Sequence, residues 1–474
     1  MRNRVLLLAA LNASLSVVIA SAQTAERPSL NASQVAGRIP LESPQTAGRV
    51  FADPPSTGVV TPVSLEDAQA RAVDASHRLA ESRARQRVAE ATADARDAAQ
   101  RPSLTASAGY TRTNHVAAFV VPSAAGFVSV LYPDIPDNYR TRLDLQWPIY
   151  TGGRLDALER AARAEVEASA AETVVAQADL RLEVARRFWA VITAEAAVRV
   201  LTEGVARAQA NVADVRARLG AGLIPPNELA SAQAQESRQR MLLIEAQTQY
   251  DVSSAELNRI VGAAAGERIV PSASLDVPAA PTSPVDSSVS LAKGARAERV
   301  VLQRRIDAAA EQRTAALAGR RPTVAFDGGV DYARPNPRIF PRQGRWEDSW
   351  DLSVNVSWSL WDGGRTGAEA AQAAGTAEAV RQRLAEFDSV LGVEVMQATR
   401  EIASGTAAVS AAEDGVRAAE EAHRVVSERY QAGVITQIEV LDAQVALLQA
   451  QLDRTRALAN VRLAEARLAR ALGQ

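Results

Sequence analysis

The chain has 474 residues, with 53 Lys+Arg balanced against 55 Asp+Glu, 4% aromatic residues and no cysteine. Near-neutral charge argues against a nucleic-acid binder, and the missing cysteines exclude disulfides, thiolate catalysis, Cys-ligated zinc and a lipid anchor on cysteine. His77, His115 and His423 are far apart, with no HxxxH or HxH spacing, so no metal or other cofactor is expected.

The first element reads as an export signal over residues 1–22. Arg2 and Arg4 precede a mostly apolar run from Val5 to Ala20, and Ala20-Ser21-Ala22 forms a small-residue cleavage site. Asn12 and Ser14 interrupt the run, and no later stretch is long and apolar enough for a membrane-crossing helix. Residues 23–63, rich in Pro, Ser and Gly, read as an extended segment.

From residue 64 the chain reads as two repeats, 64–262 and 288–474, joined by a Pro-rich linker at 263–287. Shifting 151–262 by 211 residues lays it on 362–473 without a gap, so Thr151-Gly-Gly-Arg154 meets Asp362-Gly-Gly-Arg365 and Gly262 meets Gly473. Arg218 meets Arg429, Ala221-Gly222 meets Ala432-Gly433, and Glu228 meets Glu439. Each repeat runs helix, strand, loop, strand, long helix, turn, helix.

In the first repeat the predicted helices are 64–99, 154–219 and 226–261; in the second, 288–319, 365–431 and 437–472. Ser64 suits an N-cap with Glu66 and Asp67 in the first turn. Pro225-Pro226 suits a helix start, and Gly222 and Gly433 suit left-handed closing turns. At 1.5 Å per residue each long helix spans roughly 100 Å. No globular core needs that length, whereas an antiparallel hairpin of helices, or a barrel of them, does, and Ala-rich stripes such as Ala161-Ala162 and Ala418-Ala419 allow close packing.

Between the helices the hydrophobic period changes to two. Trp350, Leu352, Val354, Val356, Trp358 and Leu360 alternate with Asp351, Ser353, Asn355, Ser357 and Ser359. Leu143, Leu145, Trp147 and Ile149 alternate likewise, and 104–112 and 324–332 read as the preceding strands. Fourteen of the twenty aromatic residues fall within 104–150 and 324–361. Trp147, Tyr150, Trp350, Trp358 and Trp361 sit near strand ends, as in the aromatic girdles of membrane barrels. Four strands cannot close a barrel, and lipid does not tolerate open sheet edges. Three chains would give twelve strands, with the loops 113–138 and 333–349 outside the cell.

The order of elements, the TGGR and DGGR corners (Gly152, Gly153, Gly363, Gly364) and the run Tyr430-Gln-Ala-Gly-Val-Ile-Thr-Gln-Ile-Glu-Val-Leu-Asp-Ala-Gln444 resemble the TolC family of outer-membrane efflux proteins. The resemblance implies an internally duplicated α+β membrane protein: a homotrimer whose 12-stranded β-barrel continues into a long periplasmic α-helical barrel. It implies an exit duct in the outer membrane of a Gram-negative bacterium, not an enzyme. Its implied partners are outer-membrane lipid, a periplasmic adaptor protein and an inner-membrane transporter of RND, ABC or MFS type, in multidrug efflux or type I secretion. By the same resemblance the linker belongs to an equatorial belt. Gly222 and Gly433 mark the adaptor-docking tips, Glu228 and Tyr430 match a latch between neighbouring tips, and Glu439 and Asp442 match acidic rings at the periplasmic gate. A basic latch residue found in some members is replaced by Ile435. A periplasmic adaptor, which normally has one helical hairpin and small β domains, and a structural coiled coil are the rival readings.

Overall fold

A computed structural model describes residues 60–122, 128–278 and 283–474. The export signal, its cleavage site and residues 23–59 lie outside the described residues. Among the described residues no helix is long and apolar enough to cross a membrane.

The first predicted helix is two: α1 (Leu65–Ala75) and α2 (His77–Ala98). Ser64 caps α1, its hydroxyl accepting the Asp67 N–H at 3.1 Å. Ser76 is extended (φ −72°, ψ 114°) and accepts the Leu79 N–H at 3.2 Å, so a cap inside the helical run ends one helix and starts the next. The long helix α3 (Arg154–Gly220) turns back into α4 (Pro226–Val261).

The first helix of the second half breaks as well, into α5 (Val285–Ala295) and α6 (Ala297–Leu317). The break residue Arg296 is buried. Its guanidinium bonds Glu298 at 2.9 and 3.0 Å, Glu394 at 3.3 Å, and the carbonyls of Arg470 and Ala471 at 3.3 and 3.4 Å. Tertiary partners therefore override local helix propensity here. Helix α7 (Arg365–Gln431) has 67 residues, the same as α3, and turns back into α8 (Gln437–Ala471).

Toward the sheet α2 packs on α3, and α6 packs on both α3 and α7; toward the turns α4 packs on α3 and α8 on α7, with α3 also against α8. The short helices thus share the length of the long ones. The junctions are tight. A Cβ at Gly262 would lie 2.3 Å from Ala75 Cβ, and one at Gly473 would lie 3.0 Å from the Ala295 backbone. The largest core cluster sits at this level, around Phe188, Val184, Leu257, Ile269 and Leu458. There β1 (Val60–Val63), the end of the predicted extended segment, pairs in parallel with β6 (Arg268–Pro271) from the Pro-rich linker.

The remaining strands form an antiparallel sheet in the order β2 (Ser103–Arg112), β5 (Asp137–Tyr150), β7 (Thr323–Arg334), β8 (Glu347–Ser357). β5 begins earlier than the alternation suggested because β2 and β7 supply partners back to Arg112↔Asp137 and Arg334↔Tyr139. β8 stops at Ser357, opposite the first residue of β7, so the alternating Trp358-Ser-Leu360 has no partner strand. The predicted loop 113–138 contains a separate hairpin, β3 (Phe119–Pro122) with β4 (Val128–Tyr132).

Candidate functional site

The sheet has two chemically distinct faces. One carries Leu143 and Trp147 of β5, Val330 and Tyr332 of β7, and Trp350, Leu352, Val354 and Val356 of β8. It is bare, with Trp350 69% and Val354 61% exposed. An apolar surface that size is unfavourable in water and favourable against lipid. At its loop end Tyr110 and Tyr139 lie 5.0 Å apart, and Trp346 stacks on Tyr332 at 5.0 Å. Sequence reading missed Trp346, which lies outside the alternating run. At the helix end are Trp147, Tyr150, Trp358 and Trp361, and the Trp358 indole N–H donates to Arg320 O at 3.0 Å. Eleven residues separate Tyr139 from Tyr150: about 36 Å along the strand and about 25 Å after a roughly 45° tilt, the height of a barrel's apolar band.

The other face is charged. Arg140 bonds Asp331 at 2.6 Å. Arg142 bonds Asp331, Asp144 (2.5 Å) and Asp351 (3.0 Å). Asn355 donates to Asp327 at 2.7 Å. Charged side chains in such a network are satisfied among themselves and by water, not by lipid.

Glycine pairs join sheet to helices. Gly152 and Gly153 (φ +66° and +84°) and Gly363 and Gly364 (φ +68° and +90°) take the left-handed conformation that starts α3 and α7. Arg321 donates to Gly152 O at 2.9 Å. Asp362, whose role was not singled out from sequence, accepts the N–H groups of Gly364 (3.0 Å) and Thr366 (2.9 Å) and the Thr366 hydroxyl. Thr366, chiefly through its hydroxyl, holds the Asp362 carboxyl down to about 2.

At the opposite end, Gly222 and Gly433 both have φ +72°. The N–H groups of Leu223 and Val434 bond back to Arg218 O and Arg429 O at 3.0 Å, closing each helix. Leu223, Val434 and Ile438 are exposed. Tyr430 is buried, and burial raises its phenol pKa, nearby Glu228 adding to the rise and Arg218 opposing it. Arg218 stacks 4.5 Å over the Tyr430 ring and donates to Tyr430 O at 3.3 Å. No hydrogen bond joins Glu228 to Tyr430 within the chain. Glu228 Oε2, the Tyr430 hydroxyl and both amide atoms of buried Gln437 lack partners among the described residues. Arg218 and Gln437 were missed because their role depends on tertiary approach. Glu439 reaches back to the Thr436 N–H at 3.4 Å as half of a capping box, and Asp442 is exposed one turn on.

The sequence matches the outer membrane efflux protein family over residues 65–263 and 291–474. The chain belongs to that family. The family consists of channel proteins rather than enzymes. The fold is similar to the outer-membrane channel OprN (TM-score 0.72, 17% identity, covering 86% of this chain and 89% of that one). It is similar also to the outer membrane protein VceC of Vibrio cholerae (TM-score 0.71, 21% identity, 86% and 96%). A third likeness is to the open state of the outer membrane channel MtrE of Neisseria gonorrhoeae (TM-score 0.71, 18% identity, 86% and 88%). At these identities the likeness is one of fold. No curated protein sequence matches the chain significantly.

Proposed function

We propose that this outer membrane efflux protein is one third of a passive duct that crosses the outer membrane and reaches into the periplasm. The observation that carries this is the four-stranded sheet: one face is bare and apolar, the other charged, and the outer strands β2 and β8 each have an unpaired edge. In lipid each unpaired backbone group costs several kcal/mol, so the β8 edge of one chain pairs with the β2 edge of the next. Three chains make a closed barrel of twelve strands with the charged face inward.

Below the barrel the two halves, read as repeats 64–262 and 288–474, supply the helical wall. The tips at Gly222 and Gly433 present Leu223, Val434 and Ile438 to a periplasmic adaptor, which couples the duct to an inner-membrane transporter. Glu439 and Asp442, three residues apart on one helix face, form stacked carboxylate rings that favour cations at the gate. The partnerless Glu228, Tyr430 and Gln437 atoms find their partners on the neighbouring chain, which latches the tips. Two helical hairpins and a two-faced sheet count against a periplasmic adaptor. Fractionation tests the reading: the protein is expected in outer membranes as a heat-modifiable band and to form ion-conducting pores in planar bilayers. Recovery as a detergent-free soluble monomer refutes it.

A further inference from the structure

The segment joining β7 to β8 does not extend away from the sheet. Residues 335–342 fold back as a strap over the charged face, and the chain then returns to the apolar face at Trp346. Buried Asn336 donates its amide to Glu347 O at 2.9 Å and Ser349 Oγ at 3.0 Å, while its side-chain oxygen accepts the Arg338 N–H at 2.9 Å. The Arg338 side chain donates to Trp350 O and pairs with Asp351, both at 2.9 Å. Arg334 closes the base of the strap by donating to Gly344 O at 2.7 Å. Arg342 donates to the Tyr132 hydroxyl at 2.8 Å and lies 5.0 Å over that ring, tying the strap to the hairpin of the other loop.

These bonds are continuous with the charged network of the sheet, because Asp351 takes both Arg338 and Arg142. Pro335, Pro337 and Arg342 overhang a polar cavity of about 560 Å³ whose other wall includes Thr111, Arg140 and Arg142. On the covered face Asp331 and Ala333 are each 1% exposed. The composition suits the position. Pro335, Pro337 and Pro341 have no N–H to leave unsatisfied against a surface, and asparagine and arginine side chains supply directed donors at both ends. An ordinary connecting loop runs over the outside and stays solvated; this one is held inward by side-chain hydrogen bonds at each end.

We propose that this strap is a second constriction, at the end of the duct remote from the helical tips, and that it limits the size of what leaves. The inference rests on the reading that the charged face lines the duct. Three straps, one per chain, then project into one lumen, and Asn336 and Arg338 are the positioning residues that hold each in place. The constriction has no part in the tip gate: its pins lie on β7, β8 and their connection.

The chain has no cysteine, so Ala333→Cys places a single thiol beneath the strap. Labelling by a membrane-impermeant maleimide added from outside is followed on the heat-modifiable trimer. With the strap intact the thiol should react slowly. Adding Asn336→Ala and Arg338→Ala should raise the rate roughly thirtyfold, the ratio for losing two side chains that each hold the strap by about 1 kcal/mol net. A Leu352→Cys control on the apolar face should be indifferent to those changes. In bilayers, with the tips opened by Glu439→Ala and Asp442→Ala, releasing the strap should raise single-channel conductance and admit larger polyethylene glycols. Full-rate labelling of Ala333→Cys behind an intact strap, or conductance unchanged by releasing it, overturns the proposal. A protein that forms no pore in any variant refutes the duct instead, while the labelling rates still decide whether the strap covers its face.

Discussion

Val354→Arg should prevent stable insertion, whereas Ser353→Arg, one residue earlier, should be tolerated. Val354 is 61% exposed on the apolar face and sits four residues from both Trp350 and Trp358. At about 3.3 Å per residue and a roughly 45° tilt, it lies about 9 Å from each of these two tryptophans, inside the apolar band. An arginine there costs about 2–4 kcal/mol per chain, or roughly 30- to 900-fold in the folding equilibrium. Ser353 points to the charged face opposite Asp327, where an arginine gains a carboxylate neighbour and stays within about 0.5 kcal/mol of the parent. Refolding into phospholipid vesicles over a urea series, read by tryptophan fluorescence and the heat-modifiable band, measures both. Equal losses, or a harmless Val354→Arg beside a damaging Ser353→Arg, would refute the assignment of the faces.

Replacing Glu439 and Asp442 with Ala should raise single-channel conductance and weaken block by divalent cations; unchanged conductance removes both from the gate. Gly363→Ala should cost about 1 kcal/mol of left-handed backbone strain. Gly152→Ala should cost more, because its Cβ would lie 2.8 Å from Arg321 Cβ and 3.0 Å from Ala318 O, whereas that of Gly363 meets open space; thermal melting ranks the two. Asp362, held down to about 2 against an ordinary 3.8, stabilises its corner fully above about pH 4 and loses that contribution as pH falls toward 2. Asp362→Asn should therefore flatten the acid-unfolding curve in that window, and superimposable curves for parent and variant would contradict this.

The period-two alternation of 350–356 and the proline-free length of 154–219 were enough to read sheet and long helices from sequence, because lipid-facing strands and long helices leave unambiguous periodicities. The breaks at Ser76 and Arg296 were not legible. No proline marks either residue, and at each break the chain meets the end of a hairpin helix, Ala75 against Gly262 and Ala295 against Gly473. Strand ends followed partner length rather than their own pattern, as the unpaired Trp358-Ser-Leu360 shows. At the tips, Tyr430 and Glu228 could be singled out by resemblance, but the Arg218 stack and buried Gln437 depend on approaches between α3, α7 and α8. The strap reads as an ordinary Pro- and Arg-rich loop; only its hydrogen bonds reveal its direction.

The most direct test of the account is the number of chains in the detergent-solubilised particle, measured by native mass spectrometry. Three chain masses, with β2 of one chain crosslinking to β8 of the next through paired cysteines, is the predicted result. A particle of one chain, or one in which those two edges never crosslink, would contradict it.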